Sequence, residues 1–165
     1  MIRQQGLLYI AILLGTVACN TRPPGQEDLK SRVESDAFIA FTKEKALEVV
    51  KSGFNAGEGY GEVWIRDYNT FIELSAEVFE SAVLKENLLV FFRMQGEDGN
   101  ILDGFIPVEQ AEGQPYDYIY ADLEPRYAGH KNTVETDQES SLVQAVYKYI
   151  HATGDTSILD EMVGG

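Results

Sequence analysis

The apolar residues of this chain recur at helical spacing in four places. Ile39, Ala46, Leu47, Val50 and Phe54 share one side of a segment from about Ser35 to Ser52. Phe71, Leu74, Ser75, Val78 and Ala82 give the i, i+3, i+4, i+7 pattern of a second helix, with Glu73, Glu77 and Glu80 on the opposite face. A third begins near Lys85, carries Leu88, Leu89, Phe91 and Phe92, and stops at the turn signals Gly96 and Asp98-Gly99. The fourth opens at Thr136-Asp-Gln-Glu139, the spacing of a capping box, continues through Leu142, Ala145, Val146 and Tyr149, and ends at Gly154. Asp155 is placed to cap one more short helix. No strand pair alternates strongly. The pattern therefore predicts an all-α fold with long loops and at most short β segments, one of them within Ile101-Leu-Asp-Gly-Phe-Ile106. The longest loop runs from Asn100 to about Thr133. Its Tyr116-Asp-Tyr-Ile-Tyr-Ala-Asp122 segment alternates aromatic and acidic groups, which argues for function over disorder.

The N-terminus reads as a targeting segment. Arg3 precedes a run from Leu7 to Leu14 that is apolar apart from Tyr9, and small residues lead into Cys19, the only cysteine. Thr16-Val-Ala-Cys19 resembles a lipobox, with Thr where Leu is usual; ordinary cleavage after Ala18 is the alternative. The expected organisation is a signal peptide over 1–18, a lipidated N-terminus and polar tether over 19–34, and a helical domain over 35–165. The protein is expected to be exported and lipid-anchored in a bacterial cell envelope, touching the membrane through that lipid alone. The last helix has barely begun when the sequence ends, so the domain reads as incomplete.

The formal net charge is −14, with 13 basic against 27 acidic residues. Neutralising phosphates needs a basic face, so nucleic acid is excluded as a partner. A neutral, hydroxylated ligand suits the balance better. The sequence holds no Gly-rich phosphate loop, no metal-spaced His or Cys cluster and no nucleophile elbow, and neither cofactor nor metal is expected. His130 and His151 read as structural or surface residues.

The segment Gly61-Glu-Val-Trp-Ile-Arg-Asp-Tyr-Asn-Thr70 carries the chemistry. It holds the only tryptophan, Trp64, followed closely by Arg66 and Asp67. A flat indole, a rigid fork of donors and a carboxylate at a helix entrance can together hold a hydroxyl-rich ring. A buried Trp beside a surface Arg–Asp pair fits the same spacing.

Three blocks in order resemble the six-hairpin, (α/α)6-barrel glycosidases of the glucoamylase-like and glycogen-debranching-like groups. They are Val63-Trp-Ile-Arg-Asp67; Leu88 to Gln95 with Glu97-Asp-Gly-Asn-Ile101; and Asn132-Thr-Val-Glu-Thr-Asp137 running on to Thr153-Gly-Asp155. The resemblance implies helical hairpins forming part of an (α/α)6 toroid. It implies an oligosaccharide or polysaccharide substrate gripped by Trp64, Arg66, Asp67, Glu135 and Asp137. Such enzymes are mostly inverting, with a general acid and a general base about 6.5–9.5 Å apart. By resemblance that pair lies later in the barrel, which leaves Glu135 and Asp137 as minor candidates for the acid and the chain as the substrate-gripping part of a glycosidase. In a partial barrel Phe71, Val78, Leu88, Phe92 and Tyr149 would lose part of their cover. The alternatives are a non-catalytic glycan-binding or surface-interaction lipoprotein and a purely structural helical one.

Overall fold

The computed structural model describes residues 26–164, apart from 56, 58 and 133. The signal segment and Cys19 lie outside the described residues. The fold is mostly helical, with α1 (Gln26–Ser35), α2 (Ala37–Val50), α3 (Ile65–Ser75), α4 (Ser81–Arg93), α5 (Val108–Ala111) and α6 (Gln138–Thr153). A 3-10 turn follows at Ser157–Asp160. Three short strands, β1 (Val63–Trp64), β2 (Gly104–Pro107) and β3 (Tyr127–His130), form an antiparallel sheet in the order β1-β2-β3. The β content is confined to short segments, as expected, and β2 overlaps the stretch Ile101–Ile106 where one was expected.

The chain divides into two units, one ending at Lys43 and the other beginning at Glu44. In the first, α1 occupies much of the stretch read as a tether. Its residues are mostly polar, only Leu29 and Val33 give it an apolar side, and Lys30 pairs with Glu34 across one turn at 3.5 Å. Asp36 then starts α2, its Oδ1 accepting from the backbone N–H groups of Phe38 at 2.8 Å and Ile39 at 3.3 Å.

The second unit is built on three helices. Ile65, Tyr68 and Ile72 of α3, Leu84, Leu88 and Phe91 of α4, and Leu142, Ala145 and Tyr149 of α6 recur at three- and four-residue steps and are all buried. Each large apolar side chain so buried contributes about 1.5–3 kcal/mol. α3 packs chiefly along α6, and α4 packs against α6 in turn. Two polar ties fix the α3–α6 pair, since Lys148 Nζ donates to the Asn69 carbonyl at 2.7 Å and Asn69 Nδ2 to Gln144 Oε1 at 3.4 Å. Tyr68 donates to the Leu84 carbonyl at 2.9 Å, joining α3 to α4, and burial pushes its phenol up from the usual range.

Several helix boundaries differ from those read in the sequence. α3 begins inside the Trp-Ile-Arg-Asp segment, not after it. It also ends before Val78, because the Glu77 and Val78 amides bond three residues back instead of four, to Leu74 and Ser75. Glu80 then turns extended and starts α4. The capping box at the start of α6 does not form: Asp137 occupies the cap position without a side-chain cap bond, and Glu139 Oε1 accepts from the Ile101 N–H at 3.0 Å. Gly154 ends α6 in the left-handed conformation, φ 73°, as its position predicts. Asp155 accepts from the Ser157 N–H at 2.9 Å and so starts the last turn. Of the residues expected to lose part of their cover, Leu88 and Tyr149 are fully buried, while Phe71, Val78 and Phe92 are half-buried. Val143, Tyr147, Leu159 and Met162 are all at least 69% exposed.

Four charged side chains lock α4 to the loop before β3. Arg93 Nη1 donates to Glu86 Oε1 at 2.7 Å and to Glu124 Oε2 at 2.9 Å, and Arg126 Nε donates to Glu124 Oε1 at 2.7 Å. Arg126 also reaches Glu86 at 2.7 Å, which closes the ring. The Glu124 side chain is only 2% exposed. Burial acts to raise its carboxyl, but the hydrogen bonds from Arg126 and Arg93 outweigh this and the net direction is down. The Arg93 hydrogen bond, aided by Arg126, likewise lowers Glu86. Carboxyls held below their unfolded value of about 4.3 stabilise the fold above that pH, and the contribution is lost as pH falls through the depressed folded values. Glu124→Gln should therefore cost about 2 kcal/mol at neutral pH. Urea denaturation midpoints followed from neutral pH down to acid should show the variant and the parent converging.

Candidate functional site

The site grows from one buried carboxylate. Asp103, 2% exposed, opens β2 at the end of the apolar run Ile101-Leu102. Its carbonyl accepts from the Ile65 N–H at 2.8 Å, which fixes where α3 starts. Its own N–H donates to the His130 carbonyl at 2.8 Å, at the end of β3. The side chain accepts from the Asn132 N–H and from Gln138 Nε2, the latter in the first turn of α6. One residue thus sets the entrances of both α3 and α6. Asn132 extends the arrangement, since its Oδ1 accepts from the N–H groups of Val134 and Glu135, each at 2.9 Å. That turn presents Glu135.

The two entrances meet. Arg66, in the first turn of α3, donates through Nη2 to Glu135 Oε1 across 69 residues of sequence. Its Nε lies 3.8 Å from Asp137 Oδ1. The side chains stay open to solvent, Arg66 at 47% and Asp137 at 51%. Asp67 follows Arg66 on the same turn, half-buried. The structure therefore brings together three of the five residues predicted to hold a ligand, with a fourth beside them.

Trp64 is placed differently. The strand register sets Trp64 opposite Gly104, and Gly104 opposite His130, in one row across the sheet. Because Gly104 has no side chain, the rings from the two flanking strands meet above it, edge to face with centroids 5.5 Å apart. A Cβ on Gly104 would lie 2.9 Å from the Val63 carbonyl oxygen and 3.3 Å from Trp64 Cδ2. Tyr116 packs against the far side of this pair, its ring 5.3 Å from His130. The indole Nε1 and His130 Nδ1 are both buried and lack a hydrogen-bond partner among the described residues. His130 Nδ1 stands 3.7 Å from Asp103 Oδ2. On the opposite face of the sheet, Phe105 turns into the main core against Phe91 and Tyr127.

Trp64 lines a cleft of about 200 Å³ with Tyr60, Glu62, Gln110, Gln114 and Tyr116. Arg66, Asp67, Glu135 and Asp137 are not among its walls. The predicted five-residue grip thus resolves into two neighbouring features, an Arg–carboxylate cluster at the helix entrances and an aromatic cleft beyond the sheet edge. The long loop supplies the cleft's outer wall. Ile119 pairs with Gly129 beside β3, with N···O distances of 2.8 and 2.7 Å, and this holds the tyrosine-rich segment against the sheet.

Sequence reasoning passed over Asp103, Glu62 and Asn132. A lone acid between Leu102 and Gly104 in an apolar run was the available signal for Asp103, since a buried charge persists only where donors meet it. His130, read as structural or surface, is a wall between two aromatic rings. His151 stacks on Tyr147 at 6.2 Å. Among the described residues no group of three His, Cys, Asp or Glu could hold a metal ion, and no helix is long and apolar enough to cross a membrane.

Asp103→Ala would strand two donors at once, the buried Gln138 amide and the half-buried Asn132 N–H. Each such group costs about 1–3 kcal/mol, so chemical denaturation should show a loss of about 2–4 kcal/mol, with amide exchange rising first at Asn132. No family model, curated protein or solved structure matches this chain, and the site is read from its own geometry.

Proposed function

We propose that this chain is an exported carbohydrate-binding protein of glycoside hydrolase-like character, and that the entrances of α3 and α6 grip a neutral, hydroxyl-rich ring. The observation that carries this reading is the convergence of Arg66 with Glu135 and Asp137, from segments 69 residues apart, at a solvent-open surface. A guanidinium has five N–H donors in a rigid plane, and Glu135 engages only one of its nitrogens closely. The remaining donors, with the acceptor oxygens of Glu135 and Asp137, make an alternating set suited to ring hydroxyls, and Asp67 follows on the same helical turn. In this reading the helix pairs belong to an (α/α)6 toroid, and a lipid on Cys19 anchors the protein to the envelope.

The role of the cluster is positioning. Holding a ring in one orientation can contribute several kcal/mol to a barrier. Proton donation calls for a different setting, because a general acid is kept protonated by an apolar pocket. Glu135 instead faces an arginine at a partly exposed surface.

Isothermal titration of the full chain with a panel of neutral oligosaccharides tests the reading. Arg66→Ala and Asp67→Ala should each weaken the best binder by about tenfold or more. Exposed ion pairs are worth at most about 1 kcal/mol, so unfolding free energy should scarcely change. Unchanged affinity in both variants, with circular dichroism intact, would leave the cluster a surface ion pair and the protein a structural one.

A further inference from the structure

The aromatic cleft beside the sheet has a charge that nothing in its walls balances. Glu62 is 8% exposed. Its one hydrogen-bond partner among the described residues is the Tyr118 hydroxyl, at a long 3.5 Å. Burial, with Glu62 nearby, pushes the Tyr118 phenol up. No Lys, Arg or His lies among the described residues that line the cleft. His130 packs edge to face between the rings of Trp64 and Tyr116, and its Nδ1 lies 3.7 Å from Asp103 Oδ2.

A desolvated carboxylate without a cation is costly, and the usual remedy is a paired positive charge. The walls favour an organic cation over a metal. One carboxylate among aromatic rings falls far short of the roughly six to eight oxygens that a hard divalent ion takes. Tyr60, Trp64 and Tyr116 instead bring aromatic rings to the lining, and such rings attract ammonium groups. Gln110 and Gln114 add amide donors and acceptors at the same opening. The volume, about 200 Å³, is below the roughly 300–1,000 Å³ of sites for drug-sized ligands and suits a single ring. Gly61 keeps it narrow, since a Cβ there would come within 2.8 Å of Ile106 Cδ1.

We infer that this cleft binds a protonated amine carried on one hydroxylated ring, an amino sugar, with Glu62 as its counter-ion and Tyr60, Trp64 and Tyr116 as its walls. The site is distinct from the Arg66 cluster. The two fail separately, because one is read by neutral oligosaccharides and Arg66, the other by the charge of a single ring and Glu62.

Trp64 is the only tryptophan, so its fluorescence reports directly on the cleft. Titrating the full chain with glucosamine, N-acetylglucosamine and glucose at about pH 6.5, where an amine is protonated, should perturb the emission with glucosamine at about tenfold lower concentration than with either uncharged sugar. Added salt should narrow that gap. Glu62→Gln should abolish the preference, and Tyr60→Ala, at an exposed position, should weaken glucosamine binding several-fold. Equal responses to the three sugars in the unaltered chain would overturn the inference whether or not the variants fold. So would a preference for glucosamine that survives in a folded Glu62→Gln variant.

Discussion

The buried carboxylate of Asp103 is the constraint on which the rest of this structure depends. A charge with 2% exposure survives only where donors surround it, and here they come from a loop N–H and a helix side chain 29 and 35 residues further along the chain. The same residue receives the first N–H of α3 on its carbonyl and donates its own N–H to the end of β3. Helix entrances are ordinarily settled by local caps. Here neither α3 nor α6 has a side-chain cap bond, and a shared third party sets both. The meeting of Arg66 with Glu135 follows from that arrangement.

The small sheet then separates two environments. Phe105 faces the helical core, while Trp64, Gly104 and His130 form the outward row. Only a residue without a side chain lets two large rings meet across a strand, and only strands this short leave the row unshared. The aromatic cleft and the Arg–carboxylate cluster thus lie on either side of one two-residue strand, Val63–Trp64. That explains how adjacent residues of one motif serve separate features.

The helical part of this fold could be read from the sequence because its signals are periodic. Leu84, Leu88 and Phe91 repeat on the core face of α4, and Gly154 marks the end of α6. Of the sheet, only the segment holding β2 was legible, since strands of two to four residues are too short to alternate. α1 was hidden for a different reason: its residues are mostly polar, and only Leu29 and Val33, one turn apart, give it an apolar side. Within the site, Arg66, Asp67, Glu135 and Asp137 stood out by residue type and by their place near helix starts. Asp103 and Glu62 did not. Their importance comes from burial, and a single acid among apolar neighbours does not announce whether donors or an empty cleft will face it.

The Asn132 turn has a kinetic consequence. Its N–H is held by Asp103 and its side chain orients Glu135, so the acidic half of the cluster takes shape only after β2 and the segment following β3 have come together. Arg66 waits on the same event, because its helix begins on the Asp103 carbonyl. Closing such long loops is slow compared with winding a helix. A chain whose helices have formed but whose sheet has not would therefore display Arg66 and Glu135 in no fixed arrangement, and their pairing becomes a late event that reports completed folding.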